Sequence, residues 1–545
     1  MRSLRLRSTL LLAALACAPA AGLAETSAPR MAARNPYLAD SIYPIAHADS
    51  AQQDAVPIAG PRGTTRALGP DEIRYVHLGP AHFGALISGP YAGGRRVIWS
   101  NGLDRIVKLD HDSFRILATY FIPGATEYDE EEADAAIAGF DASNHGFFAF
   151  LRALRTGAML RDISAVYTLL DRDNRLYVGD KHGTITAFRD AVPGDPSSAI
   201  EQAAVFRLPE TAKGLLAGMN MTYDGWLVVV TEMGDVVAVS RDFQQSRSVR
   251  LLHAEEALDE KNTRPGYGWV RNSIAIDEAG GIYVASRRHM HKVVWTGERL
   301  STDEADGAWS AEYLDGTGNG TGATPSLMGF GDEDRFVVIT DGEPLMNMTL
   351  FWRDAIPPGW EPPPGAPSRR IAGMRPANLG DPSLKAIQTE QSVVVAGYGA
   401  LVVNNEPRNV PWYVPERARA LMISYLGSNP EYQPFGVQKF AWNPRERRLE
   451  EAWVNREVSS PNCVPLVGAG SGAVYLVGAR DNLWTLEALD WETGASRFHW
   501  IVGGQRFNSL FAGMLLDQAG RPMWGTPWGK VRLEAGEGGG ATAAR

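Results

Sequence analysis

Eight short runs of β-branched or aromatic residues, each ending in a small or polar cluster, recur along this 545-residue chain. They are VIWSN (97–101), LYVGD (176–180), VVVTE (228–232), IYVAS (282–286), VVITD (337–341), LVVNN (401–405), YLVGA (475–479) and PMWGT (522–526). Measured between Trp99, Val178, Val230, Val284, Ile339, Val403, Val477 and Trp524, the steps are 79, 52, 54, 55, 64, 74 and 47 residues. Sheet-like units at such steps, with insertions in the longer ones, are the signature of a radial β repeat. The predicted fold is all-β: a single β-propeller of eight blades, with seven as the alternative count.

One closed array of this kind absorbs most of a chain whose length would otherwise suggest three or four domains. A hydrophobic content of 44% with 57 Gly and 34 Pro suits a turn-rich globular β protein. Residues 1–24 read as a secretory signal: Arg2, Arg5 and Arg7 precede the apolar run Leu10–Ala16, and Gly22-Leu23-Ala24 supplies small residues for cleavage. The Ala-Leu-Ala before Cys17 is a poor lipobox. No other stretch approaches the ~18 apolar residues of a membrane span, so the expected destination is the periplasm or the exterior. Removing the signal takes away three arginines and leaves 50 basic against 63 acidic residues, a net charge of −13. That balance repels nucleic acid and anionic membrane. Only Cys463 remains, which excludes an intrachain disulfide. The sequence has no CxxCH haem site, paired-cysteine zinc site, Walker loop or HExxH.

Residues 25–70, rich in Ala, Pro and polar residues, read as an extended N-terminal arm. The propeller is expected over 71–533, followed by a disordered tail at 534–545. The alternating DEIRYVHLG (71–79) is predicted to supply the outer strand that the eighth unit lacks, closing the ring and removing a sheet edge. Three insertions break the rhythm: 127–157, 353–380 and 406–435. In the first, Phe147, Phe150, Leu151 and Leu154 have the spacing of an amphipathic helix near 130–157. It reads as a decoration packed on the outside of a blade, with a lid over the ring as the other possibility. The second, with seven prolines, reads as a loop. The third carries Trp412, Tyr413, Tyr425, Tyr432 and Phe435, to roof a pocket or pack against the rim.

In a propeller the innermost strand of each blade starts, and the second strand ends, on the same face of the disc. One mouth is therefore expected to be ringed by Asn101, Asp180, Glu232, Arg287, Asp341, Asn405, Arg480 and Thr526. A deeper ring is expected at the inner-strand starts Asp162, Asn220, Asn272, Thr324, Glu390, Asn462 and Asn508. Converging amide and carboxylate oxygens suit a hard cation such as Ca²⁺, with Asn272, Asn462, Asn508 and Glu390 as candidate ligands. The same residue types also cap turns through their own backbone.

The outer ring mixes signs. Arg287, Arg480, His289, Asp341 and Glu390 are candidate catalytic groups, able between them to clamp an anion and move a proton. Asp180 with His182, and Glu232, are rim candidates, although DKHG and TEMG are also good hairpin turns. RRHMH (287–291) is costlier for a plain turn: His289 and His291 alternate on one strand face behind two arginines. Cys463 reads as a small buried hydrophobe. The remaining histidines show no metal-like spacing.

Two segments carry a resemblance. RNSIAIDEAGGIYVAS (271–286) resembles the repeat of the calcium-dependent gluconolactonase, paraoxonase and strictosidine-synthase-like propellers, which implies an axial cation held by Asn272. LYVGDKHGTITAF (176–188) and LEALDWETGASRFHW (486–500), with its turn at Asp490, Thr493 and Gly494, resemble repeats of quinoprotein dehydrogenase-like propellers. Each match spans one repeat or less. The lactonase-like group usually has six blades, against eight units here. Quinone enzymes of the second group typically hold pyrroloquinoline quinone (PQQ) against an adjacent-cysteine disulfide that this chain lacks, which argues against PQQ, as the missing CxxCH argues against haem.

The leading expectation is a periplasmic enzyme acting on a small organic substrate in an axial pocket, with calcium assisting a hydrolase, lactonase, lyase or isomerase reaction. A non-catalytic ligand-binding or scaffold propeller is the alternative, and a quinone-type oxidoreductase the third reading. Substrate and oligomeric state are not encoded in any recognisable feature.

Overall fold

The computed structural model describes residues 29–39, 49–160, 168–180, 182–258 and 268–535. The predicted signal at 1–24, the tail beyond 535 and the expected ring residue Asp162 lie outside the described residues. Within them the chain forms eight sheets in sequence order, and each predicted run is the second strand of its sheet. Sheet 3 is representative: Leu216–Met221, Trp226–Thr231, Asp235–Ser240 and Ser246–Arg250 pair antiparallel from the inside outward.

Alternation along each strand explains why the sheets associate. In Trp226–Thr231, Leu227 and Val229 pack with sheet 2, whereas Val228 and Val230 pack with sheet 4. Both faces are apolar, so a sheet is stable only between two neighbours. The same sharing runs from sheet 1 to sheet 7. A last cluster joins Leu486 of sheet 7 and Trp524 and Leu533 of sheet 8 to Ile98 and Leu109 of sheet 1. The sheets thus close a ring, and the fold is a β-propeller. Ile73–His77 pairs antiparallel with Gly529–Leu533 as the outermost strand of sheet 8, covering the edge that the eighth run leaves open.

The axis is filled by the chain itself. Carbonyls of Ser50, Ala51, Gln53 and Asp54 accept backbone N–H bonds of 2.7–2.9 Å from Ile276, Leu327, Val395 and Val467, in the inner strands of sheets 4 to 7. Gln52 and Asp54 adopt φ of 59° and 55°, turning the segment so that it meets one inner strand after another. Ala55–Val56 then pairs parallel with Leu466–Gly468, and Arg66–Ala67 pairs with the outer strand of sheet 7. The arm therefore runs from the axis to the rim beneath sheet 7. The open axial well expected from the sequence is occupied by this segment.

Three helices cover part of the opposite, upper face, where the inner strands start. They are α1 (Glu130–Ala142), α2 (Gly146–Met159) and α3 (Arg419–Leu426). α1 is capped by Asp129, whose side chain accepts from Glu132 N, and it packs Ala133 and Ile137 on Trp528. α2 and α3 share a core with Phe83 and Ala512, beside the inner strands of sheets 1 and 8. The insertion is thus a cap on the face, not a decoration on a blade's outside. Its apolar stripe is turned around: α2 buries Ala149, Phe150, Ala153 and Thr156, while Phe147, Leu151 and Leu154 are exposed. This face packs closely on α3 and the inner strands: Ala149, Phe150 and Ala153 join Met422 and Ile423 in one core, and Gly157 lies beside Leu421. The 353–380 insertion also differs from expectation, since Ile371–Pro376 is the outer strand of sheet 5.

Candidate functional site

The inner-strand starts form a ring of fasteners between neighbouring sheets. Asn220 Nδ2 donates to Ile274 O at 2.8 Å, and Asn272 Nδ2 to Thr321 O at 2.9 Å. Asn405 Nδ2 reaches Pro461 O at 2.9 Å, and its Oδ1 accepts from Glu390 N at 3.0 Å. Asn462 and Asn508 meet directly: Asn462 Nδ2 donates to Asn508 Oδ1 at 3.0 Å, and both amides donate to the Ser424 carbonyl of α3 at 2.9 and 2.7 Å. Asn508 Oδ1 also accepts from Leu510 N, and Asn462 Oδ1 from Ser509 Oγ. These two asparagines, expected as calcium ligands, spend their oxygens on protein donors and hold the cap to the ring. Turn and inter-strand bonding explains them.

The other expected groups are dispersed around the ring. Asp341 is buried, and its carboxylate accepts from the backbone N of Glu343 and Asn347 and from Asn347 Nδ2 at 2.6 Å. Burial nevertheless pushes its carboxyl up to about 7. Glu390 accepts from Arg271 at 3.1 Å. Arg480 is committed to Glu487 by two 2.8 Å bonds, so it is an internal ion-pair partner, not a free anion clamp. Asp180 caps its hairpin by accepting from His182 N and Thr184 N at 2.8 Å, leaving His182 exposed at the tip. Asn101 is buried and accepts from Thr168 Oγ1, while Glu232 packs its side chain over Gly268. Arg287, partly buried, lies against Gly320 and helps stabilise the Asp315 carboxylate. Cys463 is fully buried and its thiol is pushed up to about 12 by desolvation.

One cluster does converge, at the seam between sheets 3 and 4. His289 opens the third strand of sheet 4 (His289–Trp295), and alternation turns His289, His291, Val293 and Trp295 toward sheet 3. Facing them is the single-turn helix Ala254–Leu258, which follows the outer strand of sheet 3. His253 enters this turn in the left-handed region, φ 64°. Its ring stacks on His289 with centroids 4.2 Å apart. Glu256, one turn on, brings Oε2 to 4.0 Å from His289 Nδ1 and accepts from Trp269 Nε1 at 3.2 Å. One ligand atom from each of His253, Glu256 and His289 lies within 4.8 Å of the other two. Behind them His291 is buried and shares a 2.9 Å bond with Ser286 Oγ.

Burial lowers the His289 pKa, helped by the adjacent His253, and burial lowers that of His291 further, so both are neutral imidazoles near pH 7. His289 Nδ1 is itself buried and has no hydrogen-bond partner among the described residues, whereas His253 is exposed. The cluster thus joins the neutral His289, the imidazole of His253 and a carboxylate at a seam open to solvent. The RRHMH run marked half of it. His253 and Glu256 were missed, although their i, i+3 spacing puts both on one side of a single turn.

No family model matches the chain. An uncharacterized protein of Archaeoglobus fulgidus is 32% identical over 513 residues, covering 92% of this chain and 88% of that protein. Among solved structures, the quinohemoprotein alcohol dehydrogenase from Comamonas testosteroni superposes with a TM-score of 0.51 at 12% identity, over 93% of this chain and 82% of that one. A second quinohemoprotein alcohol dehydrogenase, from Pseudomonas putida, gives 0.46 at 13% identity, over 91% and 80%. At these identities the likeness to solved structures is one of fold.

Proposed function

The chain belongs to one family with the Archaeoglobus fulgidus protein, and we propose that it is a periplasmic enzyme, exported by its leader, that acts on a small organic substrate at the seam between sheets 3 and 4. The eight sheets serve as eight blades, and the reactive centre is His253, Glu256 and His289, displaced from the axis that Ser50–Val56 fills. The reaction class that suits it is hydrolysis of an ester or lactone, or a lyase step, each of which needs a carbonyl polarised and a proton moved. The observation that carries this reading is the convergence of two imidazoles and a carboxylate, with the buried His289 Nδ1 lacking a hydrogen-bond partner among the described residues. A structural histidine pair would normally have its buried nitrogens satisfied. Arg288, exposed on the same hairpin and 3.4 Å from Glu312, offers a cation to an anionic substrate group. The test is a panel of aryl esters, lactones and lyase substrates with the mature protein and its Glu256→Gln and His289→Ala variants. Turnover lost at least tenfold in both variants supports the assignment; turnover that both retain overturns it.

A specific observation favours a platform role as the second reading. Trp412 is 94% exposed and Phe148 79%, and they form one aromatic surface with Phe147 and Tyr413 on the cap. Exposed aromatics in such a group are characteristic of contact surfaces. Cross-linking in a periplasmic extract, lost in Trp412→Ser with Phe148→Ser, would favour the platform. Identical products from both proteins would remove its support.

A further inference from the structure

The geometry points to a divalent transition-metal site at His253, Glu256 and His289, with three protein ligands and a coordination position open to solvent. This rests on reading the cluster as the reactive centre, and names the cofactor it holds. Two imidazole nitrogens and one carboxylate oxygen suit Zn²⁺, Mn²⁺, Fe²⁺ or Co²⁺ and are poor for Ca²⁺, which takes six to eight oxygens. Bonds of about 2.0–2.2 Å place ligand atoms roughly 3–3.5 Å apart. The three atoms here, within 4.8 Å of one another, reach that spacing by side-chain rotation of about an ångström without moving either sheet.

Three further features agree with an ion. The buried His289 Nδ1 has no hydrogen-bond partner among the described residues and lies 4.0 Å from Glu256 Oε2, too far for a hydrogen bond but bridgeable by a cation. Trp269 Nε1 donates to the same Glu256 oxygen, orienting the carboxylate as an outer partner does in metal sites. The exposure of His253 leaves one side of the trio to solvent, and among the described residues no fourth protein ligand closes it, as one would in a structural site. The ion would act there as a Lewis acid on a carbonyl oxygen.

The experiment is Co²⁺ and Zn²⁺ titration of the mature protein after stripping with a chelator. Binding is followed by competition with a chromophoric chelator and by the visible d–d bands of bound Co²⁺. One equivalent is expected, with affinity reduced at least 100-fold in His289→Ala and His253→Ala and about tenfold in Glu256→Gln. His182→Ala, which removes an exposed histidine on sheet 2, should bind as the native chain does. Circular dichroism and the thermal midpoint of each variant separate lost binding from lost folding, and His289→Gln serves if His289→Ala is unfolded. Binding no tighter than that of the His289 variant overturns the site. So does a stoichiometry unchanged in all the cluster variants. Turnover that survives stripping but not Glu256→Gln would overturn the ion and leave the enzymatic reading standing. Tight stoichiometric binding without turnover of any substrate in the panel would support the ion and count against the enzyme.

Discussion

His253 and His289 stack 4.2 Å apart, with ring planes 12° from parallel, across the seam between two sheets. Neither sheet contains the pair alone. His289 stands at the start of a strand, fixed by its ladder with Trp309–Glu312, and His253 sits in a strained turn. A non-glycine residue at φ 64° costs about 1 kcal/mol, and such strain is held most often where a side chain is used.

That strain separates the two possible roles of His253. In His253→Gly the backbone is relieved while the ring is lost, and the extra freedom of the unfolded glycine offsets much of the relief. Urea unfolding should therefore place the variant within about 0.5 kcal/mol of the native chain, while turnover and metal affinity fall at least tenfold. A loss of stability above about 2 kcal/mol would make the ring a packing element instead.

The filled axis carries its own consequence. Ala51 is fully buried in the core of sheets 4 and 5, and its carbonyl accepts from Leu327 N. Ala51→Leu has no room and should cost about 1–3 kcal/mol by overpacking, seen as a lower thermal midpoint. A stability equal to that of the native chain would mean that the arm is not held at the axis.

Much of the fold was legible because its cause is local and periodic. Runs such as VVVTE and VVITD alternate faces at period two, and each marks the second strand of a sheet. The candidate site was only half legible. Asn462 and Asn508 look alike in sequence whether they ligate an ion or fasten strands, and only the position of Ser424 on α3 decides between them. The arm was obscure because its buried positions include Gln52, Gln53 and Asp54, held at the axis through backbone carbonyls and carrying no apolar pattern. The helix over Phe147–Leu154 was legible as a helix, but its orientation depends on the core that Ala149, Phe150 and Ala153 share with Met422 and Ala512, contacts between distant segments.

Arg480 gives a direct test of the reassignment from anion clamp to ion-pair partner. Glu487 is 1% exposed and accepts from Arg480 and from Thr485 Oγ1 at 2.6 Å. Arg480→Met strands a buried carboxylate and should cost about 3 kcal/mol, the low end for a broken buried pair because Arg480 is itself a third exposed. Arg480→Met with Glu487→Leu should recover most of that loss in a double-mutant cycle. If the single variant is as stable as the native chain yet loses turnover, Arg480 binds substrate after all.

Lys530 should control stability on the alkaline side. It is fully buried between sheets 8 and 1, where its ammonium donates to the carbonyls of His82 and Gly84. Desolvation lowers its pKa from 10.5 to about 7. Between these values the unfolded chain binds the proton and the folded chain does not, so the sign is fixed: stability rises as pH increases from about 7 toward 10. The slope from this one group is at most about 1.4 kcal/mol per pH unit. Lys530→Met keeps the length of the chain but removes the titration, so its unfolding free energy should be flatter over that window than that of the native protein. Parallel curves for the two proteins, measured in urea at pH 7, 8 and 9, would show that the buried ammonium keeps its proton through its two carbonyl acceptors.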